Sequence, residues 1–165
     1  MKRVIGCLLI CFGIWACQSE SVNAWKPKDL LEYGIPVTIM VPNPDSVKVE
    51  KDDLGPSQDI TLEGEEVYYL QIYVSEAETS DALKIKSDQL ELVKEQQFFS
   101  QILQEDESGF MFENKIDSTT NYGFRYIVIK GSQEIVFQNH LSKLFSLEEV
   151  EKMYESIKES NTQKK

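Results

Sequence analysis

The chain has 165 residues with 28 acidic and 17 basic side chains, a formal net charge of −11 at pH 7, and 41% of its residues are apolar. This length suits one domain, and the apolar fraction is too high for a disordered tail. The acidic balance argues against nucleic acid as a partner, because binding phosphates requires clustered Lys and Arg side chains. We therefore expect one folded, acidic domain that does not bind nucleic acid.

The N-terminus has the pattern of an export signal. Lys2 and Arg3 precede an uncharged apolar run over residues 4–16, and Cys17 follows that run directly. The run is shorter than the roughly 20 residues that a membrane-spanning helix needs. We therefore predict that residues 1–16 are a signal peptide and not an anchor helix.

The end of this run resembles the lipobox of bacterial lipoproteins. Ile14, Ala16 and Cys17 fit the pattern of that family, and Trp15 stands where the family usually has a small residue. The resemblance implies cleavage before Cys17, diacylation of its thiol and acylation of its new amino group. Two or more acyl chains hold a protein stably on a bilayer, because each buried methylene contributes about 0.8 kcal/mol. The membrane is thus an expected partner, through the lipid on Cys17.

An ordinary secretory signal is the alternative, because residues 22–24 form a passable small-x-small cleavage site ending at Ala24. The cysteines favour the lipoprotein. Cys7 and Cys11 lie in the removed segment and lipidation uses the thiol of Cys17, so the mature domain has no disulfide and no leftover free thiol.

The segment after the signal is predicted to hold the domain close to the membrane. Residues 17–28 form the lipidated tether, residues 29–158 the single domain, and residues 159–165 a frayed polar tail. In lipoproteins an Asp after the cysteine often retains the protein in the inner membrane, so Gln18 favours the outer membrane. Without residues 1–16 the chain has 28 acids and 15 bases, a charge of −13, so acyl chains and not electrostatics must hold it on an anionic surface. Whether the domain faces the periplasm or the exterior is left open.

Strand-like runs alternate with turn signals along the domain. The run 66–74 has apolar side chains on both faces, which predicts a central strand covered on both sides. Gly131 and Ser132 separate the runs 123–130 and 133–140, a spacing that suits a type II′ hairpin. Further strands are predicted over residues 36–41, 46–50, 59–62 and 110–116.

Two helices are predicted. The segment 80–104 contains neither Gly nor Pro and is rich in good helix formers. Its apolar stripe consists of Ile85, Leu92, Phe99 and Leu103. A second cluster, expected to lie under a loop, consists of Leu83, Leu90 and Phe98. The segment 147–158 begins with a capping box of Ser146 and Glu149, flanked by a hydrophobic staple of Phe145 and Val150.

These elements together predict an α+β fold, with a mainly antiparallel sheet of about six to seven strands packed with helices over residues 80–104 and 147–158. From Leu31 to Ile157, the order of elements, the hairpin around Gly131 and the closing capped helix resemble the PsbP-like fold of small exported proteins and lipoproteins. The resemblance implies a sheet sandwiched by helices. Members of that fold mostly bind other proteins or assist their assembly and are not catalysts.

Patterns for catalysis and metal binding are sparse. His140 is the only histidine, which excludes paired-histidine metal sites, and Ser142 lacks a nucleophile-elbow motif. Acid clusters at residues 63–66 and 105–107 leave a carboxylate-pair hydrolase or a calcium site as alternatives. Both clusters flank predicted elements, which is typical of solvated ends. We therefore expect no catalytic residue, no cofactor and no metal.

Tyrosines provide the candidate binding surface. Tyr69, Tyr73, Tyr122 and Tyr126 lie on two predicted strands that we expect to be neighbours, and the alternative is that these rings fill the core. The predicted function is that of a membrane-anchored bacterial lipoprotein, non-catalytic, that binds or helps to assemble an unknown partner protein. The alternative function is small-ligand binding in a tyrosine-rich cleft.

Overall fold

The structure is a computed structural model that describes residues 25–65 and 68–162. The predicted signal peptide 1–16 and the predicted lipidation site Cys17 lie outside the described residues. Within those residues the chain forms nine strands, two helices and a 3₁₀ turn at Leu31–Tyr33. The elements are β1 (Lys26–Asp29), β2 (Thr38–Val41), β3 (Lys48–Leu54), β4 (Ser57–Glu63), β5 (Tyr69–Glu76), α1 (Ala82–Lys94), β6 (Phe99–Glu105), β7 (Gly109–Ile116), β8 (Thr119–Lys130), β9 (Gln133–Asn139) and α2 (Leu147–Thr162).

Seven strands form one sheet in the order β3-β4-β5-β9-β8-β7-β6, and β1 pairs with β2 in a separate sheet of two. Every neighbouring pair is antiparallel. Two runs of consecutive strands, β3–β5 and β6–β9, meet at the β5–β9 pair, and α1 connects the middle of the sheet to its β6 edge. This architecture confirms the predicted α+β fold with a mainly antiparallel sheet and two helices.

Short turns close three of the hairpins. Gly55, Asp117 and Gly131 have φ angles of 74°, 55° and 60°, in the left-handed region that Gly adopts freely and Asp tolerates. Ser132 does not share this positive φ, so the Gly131-Ser132 pair has the φ signs of a type II′ turn. The hairpin predicted at this position is confirmed, with β8 and β9 paired on either side.

One face of the large sheet packs against α2 and the β1–β2 pair to form the main core. Phe124 and Tyr154 are fully buried there, and their rings meet edge-on with centroids 5.8 Å apart. Burying a Leu, Ile, Val or Phe side chain contributes roughly 1.5–3 kcal/mol, so this core is the main source of stability. Its other members include Ile39, Ile60, Leu62, Leu70, Ile72, Phe137, Phe145, Val150 and Ile157.

The opposite face is covered over part of its width, because α1 packs mainly on β8 and β6. The apolar side chains beneath α1 form two clusters, Leu90 with Val93, Phe110 and Phe112, and Ile85 with Ile127 and Val136. Strands β3, β4 and β5 continue this face with side chains that are exposed or half-buried, apart from the buried Gln71. We call this part the open face, and its residues are Lys48, Glu50, Thr61, Glu63 and Tyr69.

The first helix is shorter than predicted. Asp81 caps α1 by accepting hydrogen bonds from two backbone N–H groups, and the helix ends at Lys94 instead of continuing to residue 104. Residues 99–104, predicted as helix, belong to β6. Their backbone pairs with β7, and Ile102 packs against the cluster beneath α1. Pairing at the sheet edge thus overrides a helix-forming composition.

The predicted stripe of this helix is therefore also wrong in part. Leu92 is 58% exposed and Leu103 is 38% exposed. The residues that α1 buries are Ile85, Leu90 and Val93. The predicted stripe assumed one continuous helix, and residues beyond the true end of α1 follow the alternation of a strand instead.

The last helix confirms the predicted cap. The Ser146 backbone N–H donates to the Glu149 carboxylate at 2.7 Å, and the Glu149 N–H donates to the Ser146 hydroxyl at 3.4 Å. Phe145 and Val150, the predicted staple, are both buried in the main core. The helix continues past its predicted end to Thr162, and in this last part the Ser160 hydroxyl donates to the backbone carbonyl of Ser156 at 3.0 Å.

The folded part of the chain also begins earlier than predicted. Strand β1 includes residues 26–28, which the sequence assigned to the tether, and it pairs with β2 in register from Lys26 opposite Val41. Trp25 packs edge-on against the Tyr68 ring, with centroids 5.3 Å apart. Little chain therefore separates Cys17 from the first residues of the fold.

Candidate functional site

The four tyrosines predicted as one binding surface are divided between the two faces of the sheet. Tyr73 packs against the Ile127 and Val136 cluster on the α1 face. Tyr126 is buried in the main core, and Tyr122 packs against that core. We expected the two strands to be neighbours, but β9 lies between β5 and β8. The structure therefore does not form the predicted tyrosine-rich cleft.

The fourth tyrosine, Tyr69, stacks on the only histidine at the end of β9. The Tyr69 and His140 rings are 4.1 Å apart and nearly parallel, and the Lys143 ammonium lies 4.3 Å from the Tyr69 centroid. The Ser142 N–H donates to His140 Nδ1 at 3.1 Å, and the Ser142 hydroxyl lies 2.8 Å from the same nitrogen. Both contacts belong to one local turn, which gives the His140–Ser142 pair a structural explanation.

A cleft of about 370 Å³ opens on the α1 face, where β5, β9 and β8 lie next to the helix. Leu141, which is 72% exposed, contributes to its rim. The side chains that give the cleft its chemistry are Tyr73, Gln89, Arg125, Glu134, Val136 and Gln138. We call this site the Arg125 cleft.

Arg125 is the unusual residue of the cleft, because a charged side chain is only 8% exposed in the middle of β8. Its Nη1 donates to the backbone carbonyl of Phe124 at 3.0 Å, and its guanidinium carbon lies 5.8 Å from the Phe112 ring centroid. No carboxylate among the described residues pairs with it. Burial lowers the pKa of Arg125 to about 10, so the guanidinium is still charged at neutral pH.

A chain of hydrogen-bonded polar side chains, two of them buried and one half-buried, extends from the cleft across the sheet. The Gln138 amide donates to the Gln71 carbonyl oxygen at 2.8 Å, and the Gln71 amide donates to Asp59 Oδ2 at 2.8 Å. Asp59 Oδ1 is enclosed and has no hydrogen-bond partner. Each residue lies on a different strand, β9, β5 and β4, so the chain exists only because the sheet aligns them.

The remaining charges shape the electrostatics of the cleft. Burial raises the pKa of Glu134, and the charges of Glu78 and Asp88 raise it further. Burial also raises the pKa of Tyr73, with Asp59 acting in the same direction and Arg125 against it. The cleft thus contains one guanidinium and one carboxylate, together with amide and hydroxyl groups. Such a set can recognise a polar ligand by charge and hydrogen bonds.

Two members of the acid cluster at residues 105–107, Glu105 and Asp106, have structural partners. The Asp106 carboxylate accepts from the backbone N–H groups of Ser108 and Gly109, both at 3.1 Å, and pairs with Lys158 at 3.2 Å. Lys86 pairs with Glu105 at 2.9 Å. The prediction of a solvated end is wrong for Asp106. This residue is half-buried, because its carboxylate organises the turn between β6 and β7.

Two kinds of feature are missing from the described part of the chain. Within residues 25–65 and 68–162, no group of His, Cys, Asp and Glu side chains is placed to hold a metal ion. Neither α1 nor α2 has the length and apolar content needed to cross a bilayer. The acid cluster at residues 63–66 includes Glu66, which lies outside the described residues.

Sequence reasoning missed the Arg125 cleft, although it contained a signal for it. Gln71 and Arg125 each interrupt an apolar run of a predicted strand, and Gln138 directly follows the apolar run 135–137. Such interruptions indicate polar groups that need partners in the interior. The lipobox stays a prediction, because Cys17 lies outside the described residues. The PsbP-like resemblance also stays a prediction, because it rests on the order of elements alone. No family model, no curated protein and no solved structure matches this chain.

Proposed function

We propose that the chain is a membrane-anchored bacterial lipoprotein whose non-catalytic domain binds or helps to assemble a partner protein at the cell envelope, with the outer membrane as its location. The observation that supports binding is the uneven cover of the sheet. Helix α1 packs on β8 and β6 and leaves the open face and the Arg125 cleft accessible beside it. A polar strand surface of this kind suits recognition of another molecule.

The anchor would keep this surface close to the membrane. Strand β1 begins at Lys26, and an extended chain from Cys17 to that residue spans about 30 Å at 3.3–3.6 Å per residue. The net charge of −13 after cleavage opposes attraction to anionic lipids. The acyl chains on Cys17 would therefore act as the attachment, and the domain would be free to meet partners within that short reach.

The sheet edges are poorer interfaces than its open face. Strand β3 carries Lys51, Asp52 and Asp53, and charged residues along an edge discourage pairing with another strand. Strand β6 has two register irregularities, between Phe99 and Gln101 and between Ile102 and Gln104. Bulges of this kind also block edge-to-edge pairing. A partner is therefore expected on the open face and not as an added strand.

The anchor is tested by the intact mass of the protein extracted from membranes. We expect the mass of residues 17–165 with three acyl chains, and we expect Cys17→Ser to release the protein from the membrane fraction. Cys11→Ser, inside the signal, is the matched control and should leave the acylated product unchanged. An unmodified N-terminus near Trp25 would overturn the lipoprotein proposal.

The partner is tested by site-specific photo-crosslinking in intact envelopes. A photoreactive residue at Thr61, on the open face, should give one dominant adduct with a protein. The control position is Glu151, an exposed residue of α2 on the other side of the sheet, where that adduct should be absent. No adduct at Thr61, or the same adduct from both positions, would contradict binding on the open face.

A second candidate function is the binding of a small ligand. The Arg125 cleft favours it, since a cleft of about 370 Å³ contains a buried guanidinium and hydrogen-bonding side chains. The tyrosines that first suggested a ligand site do not carry this proposal, because Tyr122 and Tyr126 belong to the other face. Of the predicted set, Tyr73 is the member that lines the cleft.

A further inference from the structure

Arg125 is the only arginine of the predicted domain, residues 29–158. The sequence contains 15 lysines and two arginines, and the other arginine, Arg3, lies in the predicted signal. Lysines such as Lys84 and Lys130 are exposed, whereas Arg125 is 8% exposed within β8. A guanidinium differs from an ammonium by its planar fork of donors, which matches a carboxylate in a bidentate pair. Arginine at this position therefore indicates a need for that geometry.

The guanidinium is incompletely satisfied by the protein. A guanidinium carries five N–H donors, and Arg125 uses one of them in its bond to the Phe124 carbonyl. The Phe112 ring offers a further, weaker attraction at 5.8 Å. Removing an ion from water costs several kcal/mol unless opposite charge and hydrogen bonds compensate. Folding thus leaves a charge that an incoming anion would stabilise.

We propose that the Arg125 cleft binds a small molecule through a carboxylate, which the Arg125 guanidinium holds while Gln138 and Tyr73 provide the neighbouring polar contacts. The proposal deepens the second candidate function and rests on it. The volume of the Arg125 cleft, about 370 Å³, lies near the lower end of the range of roughly 300–1,000 Å³ that small-molecule sites have. The ligand is therefore small, of the size of a short-chain acid or the last residues of a peptide.

The charge balance selects a singly charged group. Glu134 lines the same cleft, and Asp59 lies at the end of the Gln138–Gln71 chain. These acids make the cleft unfavourable for a doubly charged phosphate, whereas a carboxylate needs only the single cation of Arg125. The same balance disfavours a second carboxylate at the Glu134 end of the cleft. A free acid and a peptide C-terminus share the required chemistry.

The test uses the full chain purified in detergent and measures ligand binding by saturation-transfer NMR. The probes observed directly are butyrate, the tripeptide Ala-Ala-Ala as free acid, its C-terminal amide and succinate. Inorganic phosphate has no carbon-bound protons, so its binding is followed by the loss of the signal of the probe that it displaces. We expect butyrate or the free-acid tripeptide to bind, the amide to fail, and succinate and phosphate to be weaker. Whichever of the first two binds more tightly identifies the source of the carboxylate. Detectable and equal binding of the tripeptide acid and its amide would overturn the proposal, as would no signal from any carboxylate at millimolar concentration.

A matched pair of variants on β8 locates the site. Arg125→Met should weaken the binding of the carboxylate probe by about tenfold or more, as expected for loss of a bidentate charged pair. Lys130→Met removes an exposed cation from the same strand and should leave binding unchanged. Unchanged binding in Arg125→Met would refute the assignment. The acid–amide comparison uses the natural chain, so it decides the matter even where a variant folds poorly. Crosslinking at Thr61 does not depend on Arg125, so failure here is distinguishable from failure of the partner-binding proposal.

Discussion

The two faces of the seven-stranded sheet differ in what they bury. The α2 face holds a continuous apolar core with Phe124, Tyr154 and their neighbours at or near zero exposure. The α1 face has apolar clusters only beneath the helix, and beside them it buries Arg125, Gln138 and Gln71. The α2 face provides most of the stability. The α1 face buries polar side chains, which contribute less to stability than apolar ones. This division is the reason that we place the proposed binding sites on the α1 face.

The largest effect on stability is expected from a comparison of two adjacent residues of β8 whose side chains lie on opposite faces of the sheet. Phe124→Ala removes a fully buried ring that contacts Tyr154, and we expect the free energy of unfolding to fall by about 3–5 kcal/mol. Arg125→Met removes an unpaired buried charge, so its free energy of unfolding should change by less than about 1 kcal/mol. Urea unfolding of the full chain measures both. A larger loss for Arg125→Met than for Phe124→Ala would reverse the assigned roles of the faces.

A second comparison uses two glycines that are close-packed on opposite sides. A Cβ at Gly109 would lie 2.5 Å from the backbone carbonyl oxygen of Arg125, which cannot move without shifting β8. A Cβ at Gly123 would lie 2.6 Å from the end of the Phe112 ring, which can turn away. We expect Gly109→Ala to cost about 1–3 kcal/mol of unfolding free energy and Gly123→Ala to cost less. Ser132→Ala, at an exposed turn, is the control, and equal losses at both glycines would contradict the argument.

The capping box of α2 provides a third, smaller effect. Ser146→Ala removes the hydroxyl that accepts from the Glu149 N–H, and the expected loss is about 1 kcal/mol of unfolding free energy. Ser87→Ala, on an exposed position inside α1, should not destabilise, because Ala has the higher helix propensity. A neutral Ser146→Ala would show that packing of α2 on the main core alone determines where that helix begins.

The smallest effects are pH-dependent and should differ in sign between two acids. Although burial acts to raise it, hydrogen bonds and the Lys158 charge hold the pKa of Asp106 below its ordinary value. The stabilisation from Asp106 is therefore present at neutral pH and lost as the pH falls through its folded-state pKa. The raised pKa of Glu134 has the opposite consequence, because the cost of its charge is present at neutral pH and disappears as the pH falls.

The measurement compares unfolding free energies of variants with those of the natural chain between neutral and acidic pH. Asp106→Asn should be less stable than the natural chain at neutral pH, and Glu134→Gln should be more stable. Both differences should shrink on acidification. Asp52→Asn, at an exposed edge position, serves as the control with little change. Effects of the same sign for Asp106→Asn and Glu134→Gln would contradict the assigned environments.

Local patterns were sufficient for several elements. Gly131-Ser132 predicted the β8–β9 hairpin, and the Ser146 and Glu149 pair predicted the start of α2, because both signals act through neighbours in sequence. The segment 99–105 was mistaken for helix because its Gln, Glu and Leu content is typical of one. Its true partner, β7, could not be read from the segment itself. The tyrosine surface failed for a related reason, since the position of β9 between β5 and β8 is a property of topology.

The sequence by itself predicts an export signal and one acidic domain, and it was sufficient to determine the α+β class and the positions of the Gly131-Ser132 turn and the Ser146 cap. Periodicity, capping and turn chemistry act over a few residues and are visible without the fold. Only the tertiary structure decided that Gln71, Gln138 and Asp59 form one hydrogen-bonded chain and that Arg125 lines a cleft with no carboxylate partner among the described residues. Burial and pairing depend on which strands lie side by side, and long-range contacts alone establish that order.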